Sequence, residues 1–159
     1  MQLVQRGLVD LNAPITRYLP MFPKELGIRV IDPLNYSSGL PNREDTHLVA
    51  YANHPLPPLE GILAEYLAQV DLLDFTPGTQ SQYCNWNYLA LGVLIERVTG
   101  KPYASYVAES ILGPSGMGNT SFHHADLSPR TPLASPIIPT QREAALLAVL
   151  NENLPERDQ

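Results

Sequence analysis

A chain of 159 residues, 44% of them apolar and 16% charged, is expected to form one domain and to bury roughly 70% of the surface exposed by its unfolded form. Its net charge of −6, with only ten Lys and Arg, argues against a nucleic-acid partner, because phosphate recognition needs clustered cations. The single Cys excludes an internal disulfide, and 16 Pro with 10 Gly predict long irregular connections.

In chain order, residues 1–7 read as the last turns of an amphipathic helix closed by Gly7. So short a helix, with no cap before it, is marginal alone, and the chain is expected to start inside a larger element. No positively charged region followed by an apolar core marks a secretory leader. Asn12 is expected to cap a helical turn that carries Pro14 in its first turn and runs to Tyr18, with Pro20 and Pro23 breaking it. Residues 27–31 alternate and are β-branched, predicting a short strand ended by Asp32-Pro33. Gly39 and Pro41 fix a turn over residues 34–41 by backbone means. Residues 43–58 are polar and Pro-rich and read as a loop. Leu59, Ile62, Leu63, Tyr66, Leu67 and Val70 then keep the helical period and predict one buried face.

Residues 83–103 form the most informative stretch. Tyr83-Cys84-Asn85 precedes the most apolar run in the chain, residues 88–95. Asn85 or Asn87 suits the N-cap, Gly100 the left-handed stop, and Pro102 the first turn of a following helix. Tyr88, Leu91, Ile95 and Val98 recur at helical spacing while Leu89, Val93 and Leu94 cover the other side, so burial is expected over most of the surface. The run is too short to span a bilayer. Tyr103, Tyr106, Val107 and Ile111 mark one more helix, stopped by Gly113-Pro114. Residues 128–139 are Pro-rich. Thr140-Gln141-Arg142-Glu143 then forms a capping box for a terminal helix with Leu147, Leu150 and Leu154 as its stripe.

The phrase Pro77-Gly78-Thr79, Tyr83-Cys84-Asn85, Tyr88-Leu89-Ala90-Leu91-Gly92, Ile95-Glu96-Arg97-Val98-Thr99-Gly100 and Tyr103 resembles the serine β-lactamase and penicillin-binding-protein superfamily, in its class C and esterase-like branch. Residues 1–20 are similar to the end of that family's nucleophile helix and the loop after it. Residues 34–41 are similar to its Leu-x-His-Thr-Ser-Gly-Leu-Pro turn, with Tyr36-Ser37 in place of His-Thr. The resemblance covers residues 1–122 and fades over 123–159, which implies two parts with that boundary. It implies a mainly α fold, the helical lobe of a β-lactamase-like α+β architecture with most of the antiparallel sheet missing and the N-terminus truncated. It also implies hydrolysis of a small-molecule ester, β-lactam or peptide-like amide through an acyl-serine, with no cofactor and no metal. Tyr83 would be the tyrosine that helps move the proton, and Asn85 would orient the lysine and the substrate carbonyl side.

That chemistry needs a serine held by a lysine and backbone donors for the oxyanion. Lys24 and Lys101 are preceded at three residues by Met21 and Val98, and the chain holds no Ser-x-x-Lys, Lys-Thr-Gly or His-x-Gly. A tyrosine with an ordinary pKa of about 10 becomes a base only beside cations, so the chain alone is expected to be inactive. A non-catalytic binding or interaction module that reuses the helical lobe is the alternative, and a remnant that exposes its apolar faces is a third. Cys84, near a helix start, reads as a small buried thiol and only secondarily as a nucleophile. His123-His124 with Asp126 reads as a surface loop before a metal site, and Gly113-Pro114-Ser115-Gly116-Met117 misses a nucleophile elbow because Gly118 falls one place late. Substrate, compartment and oligomeric state are not specified by these residues.

Overall fold

The apolar run after Tyr83-Cys84-Asn85 becomes the helix against which the other helices pack. The computed structural model of the chain describes residues 1–42 and 58–122, all within the compact unit Met1–Phe122. The helices are α1 (Gln2–Gln5), α2 (Ile31–Leu34), α3 (Leu59–Leu67), α4 (Asn85–Thr99) and α5 (Tyr103–Val107), which runs on into a π-helical turn, Ala108–Leu112. Two short 3-10 turns, Ile15–Arg17 and Lys24–Leu26, lie between α1 and α2. The predicted loop after Asn42, the capping box at Thr140 and the terminal helix lie outside the described residues.

Helix α4 touches α2, α3 and α5. Trp86, Ala90, Leu91, Val93 and Leu94 are buried, and the Trp86 ring stacks on Tyr66 of α3 with centroids 4.0 Å apart. Gly92 is buried beside Leu59 and Tyr103, and a Cβ there would meet them at ordinary contact distances of 3.5 and 4.0 Å. The amphipathic reading of α3 is matched by burial of Ile62, Leu63, Tyr66 and Leu67, each large side chain contributing about 1.5–3 kcal/mol of transfer free energy. The helix ends as expected: Gly100 is left-handed at φ 66° and its N–H bonds to the Glu96 carbonyl at 2.8 Å. The Glu96 carboxylate then accepts the Tyr103 N–H at 2.8 Å and so caps α5, with Pro102 just before it.

The start of α4 departs from expectation. Neither Asn caps it; Cys84 is the extended residue before the helix and gives no side-chain capping bond. Asn85 is the first helical residue, and its N–H is met at 3.2 Å by the Asn42 side chain, 43 positions away in sequence. Asn87 faces inward and is buried, so its amide serves the interior and is not free to cap. Tyr88, expected on the buried stripe, is 52% exposed.

Asn12 is not a cap either: Pro14 precedes the Ile15–Arg17 turn, and the Asn12 N–H bonds instead to the Asp10 carboxylate at 2.9 Å. The strand expected over residues 27–31 reduces to a single antiparallel bridge, Pro14 to Arg29. Alternation is real, for Ile28 and Val30 are buried, but Asp32 turns the chain. Its carboxylate accepts the Arg29 backbone N–H at 2.8 Å and pairs with the Arg29 guanidinium at 3.0 Å. The backbone therefore winds into α2 at Ile31, with Asp32 and Pro33 inside the helix and not at a strand end. No strand occurs among the described residues.

Helix α1 is too short to persist alone and is tied down by tertiary bonds. Gln2 donates to the Ser110 carbonyl at 3.0 Å and accepts from the Tyr106 hydroxyl at 3.1 Å. Gly7 closes it at φ 70°.

The turn over residues 36–40 is sewn to the later segment 74–82. Asp74, Gly78 and Gln82 donate their N–H groups to the carbonyls of Gly39, Ser37 and Tyr36 at 2.8, 2.8 and 2.9 Å. Gly39 has φ 75°, and a Cβ there would stand 2.2 Å from the Phe75 carbonyl oxygen. Gly39→Ala is expected to destabilise the chain by at least about 2 kcal/mol, from left-handed strain plus the clash, read as a lower urea midpoint than wild type.

Candidate functional site

Six residues at the start of α4 sort their side chains by environment. Cys84, Trp86 and Asn87 turn inward, while Tyr83, Asn85 and Tyr88 face outward. Extended backbone at Cys84 (φ −150°, ψ 123°) sends Tyr83 and Cys84 to opposite sides, and the helical rotation from Asn85 onward does the rest.

Tyr83 and Asn85, the pair singled out in the sequence, meet. The Tyr83 hydroxyl donates to Asn85 Oδ1 at 2.6 Å, and Tyr83 is 62% exposed. The phenol is thus an oriented donor with free lone pairs on an open surface. Lys101 lies beyond the far end of α4, a helix of 15 residues, or about 22 Å at 1.5 Å per residue, and it pairs there with Glu109.

The inward side is a polar knot within apolar packing. Ser38 donates to Asn87 Oδ1 at 2.5 Å and accepts the Leu40 N–H at 3.1 Å. Both side chains are buried, and Asn87 Nδ2 has no partner. The Tyr66 hydroxyl donates to the Pro41 carbonyl at 2.7 Å, and the Cys84 thiol sits 3.7 Å from the same oxygen. These bonds link the 36–41 turn to α3 and α4 across 25 to 49 positions of sequence.

The reading of Cys84 as a buried thiol agrees with its 1% exposure. Burial pushes its pKa up, against weaker lowering by the Trp86 and Asn87 N–H groups. It therefore stays a thiol at neutral pH and is a poor nucleophile.

Tyr36, Ser38, Asn42 and Asn87 were not singled out as site residues, since no periodicity connects positions so far apart. The only local signal was the turn over residues 34–41, where Tyr36-Ser37 stands in place of the family's His-Thr before Ser38-Gly39. Tyr36 packs against both outward tyrosines, with centroids 5.3 Å from Tyr83 and 5.3 Å from Tyr88. Its phenol pKa is pushed up by burial first, then by the neighbouring Tyr88 and Tyr83. His123, His124 and Asp126 lie outside the described residues. Among the described residues no cluster of three His, Cys, Asp or Glu could hold a metal ion, and no helix is long and apolar enough to cross a membrane.

A family model described as Beta-lactamase matches residues 1–148. The chain belongs to the β-lactamase family. It is similar to penicillin-binding protein 4* of Bacillus subtilis (strain 168), with 29% identity over 127 residues that cover 80% of this chain and 28% of that one. Among solved structures it is similar to the octameric penicillin-binding protein homologue of Pyrococcus abyssi, at TM-score 0.66 and 28% identity, over 79% of this chain and 30% of that one. It also matches the D-amino acid amidase of Ochrobactrum anthropi SV3 complexed with L-phenylalanine, at TM-score 0.63 and 32% identity, over 76% of this chain and 32% of the amidase. The chain spans 28% to 30% of the length of the curated relatives it matches. The helix-rich part of a β-lactamase or penicillin-binding-protein fold is therefore what residues 1–42 and 58–122 of this β-lactamase-family chain present.

Two outcomes follow from the site's inner side. Cys84 in the native β-lactamase-family chain should react with a thiol-exchange chromophore at pH 8 at least about 100-fold slower than in denaturant, because the raised pKa and burial both withhold the thiolate. Ser38→Ala leaves the buried Asn87 amide without its bond and should cost about 1–3 kcal/mol by chemical denaturation, whereas an exposed Ser such as Ser81 replaced by Ala should cost far less.

Proposed function

We propose that residues 1–122 supply the helical lobe of a serine hydrolase centre, with Tyr83 as the proton-relay tyrosine and Asn85 as the residue that orients the lysine of the complete centre and the substrate carbonyl side. The substrate is an ester, β-lactam or peptide-like amide, and the reaction passes through an acyl-serine. Residues 123–159 are a second part of the sequence, and most of the antiparallel sheet of the complete fold is missing from the described residues. The 159 residues hold no Ser-x-x-Lys, Lys-Thr-Gly or His-x-Gly. The chain by itself is therefore inactive, since acyl transfer without its nucleophile loses nearly all rate enhancement.

The observation that carries this reading is the 2.6 Å bond from the exposed Tyr83 hydroxyl to Asn85 at the mouth of a buried helix. Membership of the β-lactamase family supports it, as do relatives named for amide or peptide hydrolysis. Chemically, the bond to the amide oxygen orients the phenol, and the phenol becomes a base for the serine proton once a cation beside it stabilises the phenolate.

A second reading, a non-catalytic binding module, is favoured by one feature. An apolar cavity of about 440 Å³ opens between α1, α4 and α5, lined by Leu3, Val4, Leu91, Ile95 and Tyr106 among others.

The test uses the purified chain and a hybrid in which residues 1–122 replace the matching segment of a full-length penicillin-binding-protein relative, each with a chromogenic ester and a chromogenic β-lactam. The chain alone should show no turnover. The hybrid should turn over, and Tyr83→Phe should cut its kcat about 10²- to 10⁴-fold, the usual worth of a general acid–base group. Turnover by the chain alone that falls with Tyr83→Phe would refute the inactivity. A hybrid indifferent to Tyr83→Phe would remove the role of Tyr83, and a folded hybrid without turnover would favour the binding module.

A further inference from the structure

Tyr36 carries a left-handed backbone, φ 56°, the only non-glycine residue among those described to do so. For a bulky residue this conformation is a true outlier, and it persists only where the surroundings over-determine it. They do so here. The Tyr36 N–H bonds to the Pro33 carbonyl at 3.3 Å, and its own carbonyl accepts the Gln82 N–H at 2.9 Å, one residue before Tyr83. Gly78 bonds to Ser37, and the Ser81 hydroxyl bonds to the Asn35 carbonyl at 3.2 Å. The backbone that bears Tyr36 is thus laced to the backbone that bears Tyr83.

A glycine would satisfy the same φ without strain, so what a tyrosine adds is its side chain, a ring and a hydroxyl bonded to Tyr88. That ring lies against Tyr83 and Tyr88, tilted 36° and 34° at 5.3 Å from each, within the range in which aromatic pairs attract. Tyr83 is otherwise 62% exposed and held at its hydroxyl by Asn85. One bond at the tip leaves the ring free to swing, and a contact on its face removes that freedom.

We propose that Tyr36 is a positioning residue, whose ring holds the phenol of Tyr83 in the orientation that its bond to Asn85 requires. The proposal rests on the reading of Tyr83 as the proton-relay group. Burial and the two neighbouring tyrosines push the Tyr36 phenol pKa up, so Tyr36 stays a neutral wall beside Tyr83 and does not compete as a base. Tyr88 backs the same ring from the helix side.

The experiment measures the order of the Tyr83 ring by carbon-13 relaxation in the full chain, with tyrosine labelled and Tyr83 assigned through Tyr83→Phe. Tyr36→Phe keeps the ring and should leave the Tyr83 order parameter near the rigid value of about 0.85. Tyr36→Gly relieves the backbone and removes the ring, and should drop it below about 0.6 while the unfolding temperature stays at or above that of wild type. Tyr36→Asn, which also tolerates the left-handed region and has no ring, serves if the glycine variant does not fold. Unchanged Tyr83 order in the ringless variants would overturn the proposal, as would equal loss in Tyr36→Phe. The readout is order and not turnover, so it is independent of whether Tyr83 moves a proton, which the hybrid carrying Tyr83→Phe decides.

Discussion

Burial of α4 is the constraint on which the rest of the structure depends. A helix that packs against α2, α3 and α5 at once cannot present polar groups along its length, so its polar residues gather at its ends. At the N-terminal end, residues 83–88 divide between interior and surface. The inward set anchors the helix through the Tyr66–Trp86 stack and the Ser38–Asn87 bond. The outward set is thereby held on a rigid base, which is the condition for a precise site.

The same constraint explains why polar atoms are buried beside α4 at all. Asn87 has no exit to solvent, and an unpaired buried amide is costly. Ser38 meets its oxygen, and the 36–41 turn is drawn against the helix to bring Ser38 there. The turn then carries Tyr36 to the outer side, so one short segment braces the interior with Ser38 and the surface with Tyr36.

How much of this was legible depends on the range of the interactions concerned. The helical spacing of Leu59 to Leu67 and of the α4 core, the stop at Gly100 and the closure of α1 at Gly7 are local patterns, and they appear where periodicity and glycine chemistry put them. The caps were misread because the partner of the Asn85 N–H is Asn42, and nothing within one turn of the helix announces a donor or acceptor 43 residues away. The short strand was misread because alternation over residues 27–31 reports burial of Ile28 and Val30, not pairing. The Asp32 carboxylate, bonded to Arg29, bends the backbone before a ladder can extend.

The sequence by itself determined the family, through a dense run of matched residues around Tyr83-Cys84-Asn85, and the existence of the amphipathic helices, because hydrophobic period and chain-stopping residues act over a few positions. It also determined which nucleophile motifs the 159 residues do not contain. Only the tertiary structure decided that Tyr83 bonds to Asn85, that Cys84 is sealed in the core, that Tyr88 faces out and that Tyr36 packs against the two exposed tyrosines. These are choices of side-chain direction, set by what each helix must bury against neighbours remote in sequence, and no local pattern encodes them.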